Sequence, residues 1–166
     1  MENRVKAGGY VLKQKGGIMR KVQWGTAVLL AIYMCILAYV CFFSEGYGRT
    51  AVDGYHYNLI PFREIMRFYT YREYVGFSAF MLNLFGNVLA FAPFGFAVPV
   101  LSRMNRRFVN VAWLTFILSL TIELLQLMLK VGSFDVDDLL LNTLGGMIGY
   151  GVFFAVNHIR RKCFAR

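Results

Sequence analysis

Twenty residues without a charge, "WGTAVLLAIYMCILAYVCFF" at positions 24–43, constrain this chain more than any other feature. At about 1.5 Å per helical residue, such a run just crosses a hydrocarbon core about 30 Å thick. Three further apolar runs, 78–101, 108–129 and 138–156, are long enough to do the same. In lipid every backbone polar group must be bonded within the protein, so such runs read as helices. Composition agrees: 58% of residues are hydrophobic and 16% charged, against about 25% charged in soluble domains. The sequence predicts an all-α integral membrane protein, with four transmembrane helices in a compact bundle.

The first run is expected to stay as an anchor. It exceeds the apolar core of a signal peptide, about 7–15 residues, and its exit "CFFSEGYG" offers no small-residue cleavage site. Val40 before Cys41 argues against lipoprotein processing. Orientation follows from Lys and Arg in the short flanks. Residues 1–23 carry Arg4, Lys6, Lys13, Lys15, Arg20 and Lys21; the loop "SRMNRRF" carries Arg103, Arg106 and Arg107; the tail 157–166 carries Arg160, Arg161, Lys162 and Arg166. These segments belong on one side, which predicts a multi-pass membrane protein with both termini cytoplasmic. Segment 44–77 and the turn at 130–137, with one Lys against two Asp, then lie outside.

The net charge of +9 is thereby used as membrane flanks and contacts with anionic lipid, so no nucleic-acid partner is expected. Cys35, Cys41 and Cys163 show no CxxC spacing and predict neither zinc nor a disulfide framework.

The polar residues inside the spans are the informative ones. Asn83, Asn142, Glu123 and Gln126 all fall roughly 5–9 Å below the outer surface, and Asn87 lies one turn deeper. Helical phase groups them: Asp138, Asn142, Gly145 and Gly149 share one face, Ser119, Glu123 and Gln126 another, Asn83 and Asn87 a third. The pair Gly145 and Gly149 is a GxxxG spacing that permits close helix contact, so the polar faces should point into the bundle. An ionisable group within a span is a functional candidate, and Glu123 is the one here. The stretch "FDVDDLLLNTLGG", 134–146, sets Asp135, Asp137 and Asp138 at the mouth of the fourth span. One of the first two is expected to cap the helix. The others would rim a polar hollow.

The segment "HYNLIPFREIMRFYTYREYVGF", 56–77, is too charged to span and predicts a short interfacial amphipathic helix starting near Pro61. Arg63 and Arg67, four apart, could grip a phosphate; the competing reading is an internal Glu64–Arg67 pair.

In order along the chain, "YNLIPFREI", "LNLFGNVLAFAPFGF", "IELLQ" and "FDVDDLLLNTLGGMIGY" resemble the VanZ family of bacterial membrane proteins, over about residues 57 to 150. The resembling positions include Asn58, Pro61, Phe62, Asn83, Gly86, Asn87, Pro93, Gly95, Glu123, Gln126, Asp135, Asp138, Asn142, Gly145 and Gly146. The resemblance implies a multi-pass envelope protein linked to reduced susceptibility to the glycopeptide teicoplanin.

Three functional classes follow. The first acts on or binds a lipid-linked headgroup, such as a cell-wall precursor, at the outer leaflet. Glu123, Asp135 and Asp138 would be its catalytic groups or would hold a divalent cation such as Mg²⁺, which favours oxygen ligands. Asn83, Asn87, Gln126, Asn142, Arg63 and Arg67 would bind the substrate. The second is a non-catalytic accessory or shielding protein. The third is a small ion-coupled transporter using Glu123, which with four helices would have to work as a homo-oligomer.

Overall fold

The structure, a computed structural model, describes residues 2–43, 54–71, 77–102 and 104–164. Arg103, Arg166, Asp53 and the rest of 44–53 and 72–76 lie outside the described residues, as do the side chains of Arg4, Lys6, Lys13 and Lys15. The elements in chain order are α1 (Glu2–Phe43), β1 (Tyr57–Asn58), α2 (Arg63–Thr70), α3 (Phe77–Leu101), α4 (Phe108–Leu129), β2 (Phe134–Asp135) and α5 (Val136–Phe164). Four of the helices are long and apolar enough to cross a membrane: Arg20–Phe43, Phe80–Leu101, Phe108–Leu129 and Val136–Cys163. Residues 2–23 and 157–164, read from sequence as tails, continue the helices α1 and α5.

Specific contacts fix the helix directions. Gln23 Nε2 donates to the Leu101 carbonyl at 3.2 Å, and the Tyr33 hydroxyl donates to the Ala90 carbonyl, so α1 and α3 are antiparallel. Asn142 meets Ser119 near one end of the α4–α5 pair, and Tyr150 donates to the Arg106 carbonyl at 2.8 Å near the other, which makes these two antiparallel as well. One end of the bundle therefore gathers Gln23, Leu101, Arg106 and Tyr150. The other gathers Cys41, Gln126, Asp135 and the segment carrying α2.

Helices α3 and α5 touch backbone to backbone, and glycine makes this possible. A Cβ on Gly145 would sit 2.2 Å from the Val88 carbonyl oxygen, one on Gly149 2.0 Å from that of Ala92, and one on Gly95 1.9 Å from that of Gly146. The pairings 88 with 145 and 92 with 149 advance together, so α3 and α5 run parallel. In lipid, where apolar side chains gain little by leaving the acyl chains, such close backbone approach is a main source of helix association. The GxxxG face expected from sequence is the face used. Thr115 on α4, fully buried, fills the space that a Gly146 side chain would need.

A small parallel strand pair was not expected; in it Tyr57 stands opposite Phe134 and Asn58 opposite Asp135. Two-residue strands carry too little alternation to be read. Phe134 N–H extends the pairing by donating to the His56 carbonyl at 3.1 Å.

Candidate functional site

At the end of the bundle that carries α2, four carboxylates divide into two jobs. The first job is architectural. Asp135 precedes α5, and its Oδ1 accepts the Asp137 N–H at 2.8 Å, the geometry of an N-cap. The same oxygen accepts Asn58 Nδ2 at 3.1 Å, which ties β1 to the cap. Asp137, 1% exposed, reaches out of α5 to the start of α2. Its carboxylate accepts the N–H groups of Phe62, Glu64 (2.9 Å) and Ile65 (3.2 Å). Phe62 adopts a left-handed backbone, φ 65°, and so turns the first amides of α2 toward this single acceptor. Three orphan donors at a helix start are thus satisfied by a side chain from another helix. Glu123 joins the set from α4: its Oε2 accepts the Asp135 N–H at 2.9 Å.

Burial holds the Asp135 carboxyl above its ordinary range, against the opposing pull of the Asp137 N–H and Asn58 amide. Glu64 is likewise raised, first by burial, with Arg67 acting in the other direction.

The second job surrounds a cavity of about 540 Å³ between α1, α3, α4 and α5. Asn83, Asn87, Glu123, Gln126, Asp138 and Asn142 all line it. These are the six span residues singled out from sequence spacing, brought together by the crossing of three helices. Asp138 Oδ1 accepts Asn87 Nδ2 at 2.5 Å. Gln126 Nε2 donates to the Cys41 carbonyl at 2.8 Å, and Asn142 Nδ2 donates to Ser119 Oγ at 2.8 Å. Glu123, Gln126 and Asn142 are 2%, 1% and 4% exposed, so the polar lining is deep. The opening is apolar: Ile36, Leu82 and Leu89 line the cavity while remaining largely exposed on the faces that would meet acyl chains. Phe68 of α2 also lines it.

Several expectations change. Asp135 does not join Glu123 and Asp138 around a shared ligand; its oxygen is committed to capping α5 and holding Asn58. Among the described residues, no three His, Cys, Asp or Glu side chains come together in a way that could hold a metal ion, so the three-carboxylate cation site is not assembled. Arg67 pairs with Glu64 at 2.7 Å, one turn away, and lies 5.4 Å from the Phe68 ring centre. Arg63 is exposed at the start of α2, and neither arginine lines the cavity. Sequence reasoning did not assign Asp137 and Asn58 to the relay between α2 and α5. Their partners lie 72 to 77 residues away, and no local spacing announces them.

The VanZ/LLP1 family profile matches residues 30–157, which spans the cavity and the whole relay. Protein VanZ of Enterococcus faecium is 30% identical over 143 residues, covering 81% of this chain and 77% of that protein. No solved structure matches.

Proposed function

The chain belongs to the VanZ/LLP1 family of multi-pass membrane proteins, and from that premise we propose that it binds or acts on a lipid-linked cell-envelope headgroup at the outer leaflet. The link to teicoplanin susceptibility that the family resemblance implies fits such a role, because drug access to its target changes when a headgroup is altered or covered. The observation that carries this reading is the cavity. Buried polar groups are expensive in lipid and are found where they serve a ligand or a pathway. Here they lie behind an apolar rim of Ile36, Leu82 and Leu89, so a molecule could enter sideways from the bilayer with its tail left outside.

Orientation is part of the proposal. With basic flanks on the cytoplasmic side, the end carrying α2 is extracytoplasmic and the cavity opens to the outer leaflet. Glu123 and Asp138 are the groups available to bind the headgroup or to move a proton on it. The Asp135 N–H bound to Glu123 favours the non-catalytic form of this reading, in which the protein holds or shields the headgroup.

The test is susceptibility of a teicoplanin-sensitive bacterial host expressing the wild type, Glu123→Gln or Asp138→Asn, with membrane abundance measured alongside. The expected outcome is protection by the wild type and its loss in both variants at unchanged abundance. Protection by the variants equal to that of the wild type would end the proposal. A reporter inserted in the turn at 130–133 should read extracytoplasmic; a cytoplasmic signal removes the outer-leaflet assignment.

A further inference from the structure

The glycines of this bundle divide by what a side chain would meet. At Gly95, Gly145, Gly146 and Gly149 a Cβ would come within 2.2 Å of a neighbouring helix, so helix contact accounts for them. At Gly86 a Cβ would meet nothing within 4 Å among the described residues, and the backbone is ordinary α-helix without a positive φ. Glycine there weakens the helix relative to alanine, and neither packing nor a turn requires it. Gly25 and Gly151 are equally open, but of these three only Gly86 lines the cavity.

Its place on α3 supplies a reason. Leu82, Gly86 and Leu89, at i, i+4 and i+7, share one face. All three line the cavity, and the two leucines are largely exposed beside it. Helix α1 forms the facing lip with Ile36 and Val40. Tyr33 ties α1 to α3 by donating to the Ala90 carbonyl, one turn along α3 from Gly86. Nearer the end carrying α2, α1 is held by α4 instead, where Gln126 Nε2 takes the Cys41 carbonyl at 2.8 Å. Beyond Tyr33, α1 thus leans toward α4, and Gly86 stands on the α3 side of the gap this leaves.

Resting on the headgroup-binding reading, we infer that Gly86 is the entrance of the site: a membrane-borne molecule passes between α1 and α3 over the bare backbone at this position. Glycine is the residue that lets a backbone and a ligand approach closely. The missing side chain gives the headgroup room to move from the exposed rim to the buried amides of Gln126 and Asn142, while its tail trails out between Leu82 and Leu89. A side chain at position 86 would obstruct this passage and leave the fold intact.

The test compares wild type, Gly86→Ala, Gly86→Leu and Gly151→Leu in the teicoplanin-sensitive host, with membrane abundance and the Tm of the purified full chain measured for each. Gly86→Leu should return the host to the susceptibility of cells lacking the protein, at wild-type abundance and Tm, whereas Gly151→Leu should protect as wild type does. Gly86→Ala should match or exceed the wild-type Tm. A lower Tm for Gly86→Ala would show that packing requires the glycine and overturns the inference. Full protection by Gly86→Leu, or loss of protection by Gly151→Leu as well, also overturns it; the headgroup reading survives either result if Asp138→Asn still loses protection. Should Gly86→Leu lower abundance or Tm, the side chain is added after folding. Gly86→Cys, with Cys35, Cys41 and Cys163 replaced by Ala, is alkylated with N-benzylmaleimide, and native mass spectrometry follows the exchange of retained host lipid in phosphatidylcholine nanodiscs. Exchange at least tenfold slower after alkylation is the expected result; an unchanged rate, or no lipid to exchange, overturns the entrance. No protection by wild type defeats the headgroup reading and this inference with it.

Discussion

At the scale of single residues, acidic side chains a few positions apart do unlike work. Asp137 is the one whose loss should cost the fold most. It satisfies three N–H donors at the start of α2 from within a nearly closed site. Each hydrogen bond to a charged group contributes about 1.5–3 kcal/mol, and donors left buried without an acceptor add to the cost. Asp137→Ala is therefore expected to destabilise the protein by about 3 kcal/mol or more, read as a lowered Tm in detergent or nanodiscs. Asp137→Asn should recover part of this, since its amide oxygen can still accept the Glu64 and Ile65 N–H groups while its NH2 is set against the Phe62 N–H. Equal stability of Asp137→Ala and wild type would show that α2 is not held from α5. Asp138, the next residue, should behave differently: it faces the cavity, and Asp138→Asn should spare stability while removing ligand binding.

At the scale of elements, the α3–α5 contact sets the geometry of the site, because it fixes Asn87 against Asp138. Gly149 and Gly151 separate a packing role from mere helix composition. A Cβ on Gly149 would meet the Ala92 carbonyl oxygen at 2.0 Å, whereas one on Gly151 meets nothing within 4 Å. Gly149→Ala should force the helices apart, at about 1–3 kcal/mol for overpacking, and Gly151→Ala should be neutral or slightly stabilising. Comparable Tm values for the two variants would contradict this packing. The spanning helices were legible in the sequence because a bilayer demands long uncharged runs, and helical period alone put Glu123, Gln126, Asp138 and Asn142 on inward faces. The anchoring of α2 was not legible, because it depends on pairs 72 to 77 residues apart and on strands of two residues. The arginine reading turned on a neighbour: Glu64, one turn from Arg67, claims its guanidinium, while a spacing of four between arginines records nothing about what stands between them.

At the scale of the whole molecule, α1, α3, α4 and α5 enclose a largely apolar cavity into which polar side chains of α3, α4 and α5 converge, and whose side opening is apolar. The relay from Glu123 through Asp135, Asn58 and Asp137 holds β1 and α2 over that cavity, with Phe68 turned toward it. The acidic cluster at the start of α5 thus fastens the cover with Asp135 and Asp137 and lines the cavity with Asp138. A membrane-borne headgroup in this space should be within reach of Leu82, which lines the cavity and is 51% exposed, and out of reach of Ile148, which is 47% exposed elsewhere on the bundle. The most direct measurement is photo-crosslinking in living cells, with p-benzoylphenylalanine placed at Leu82 or at Ile148 and the adducts weighed by mass spectrometry. The Leu82 derivative should capture a headgroup-bearing lipid that the Ile148 derivative does not, and the adduct should fade when Asp138→Asn is added. Identical adducts at the two positions, reflecting only the bulk lipids, would contradict a headgroup site in this bundle.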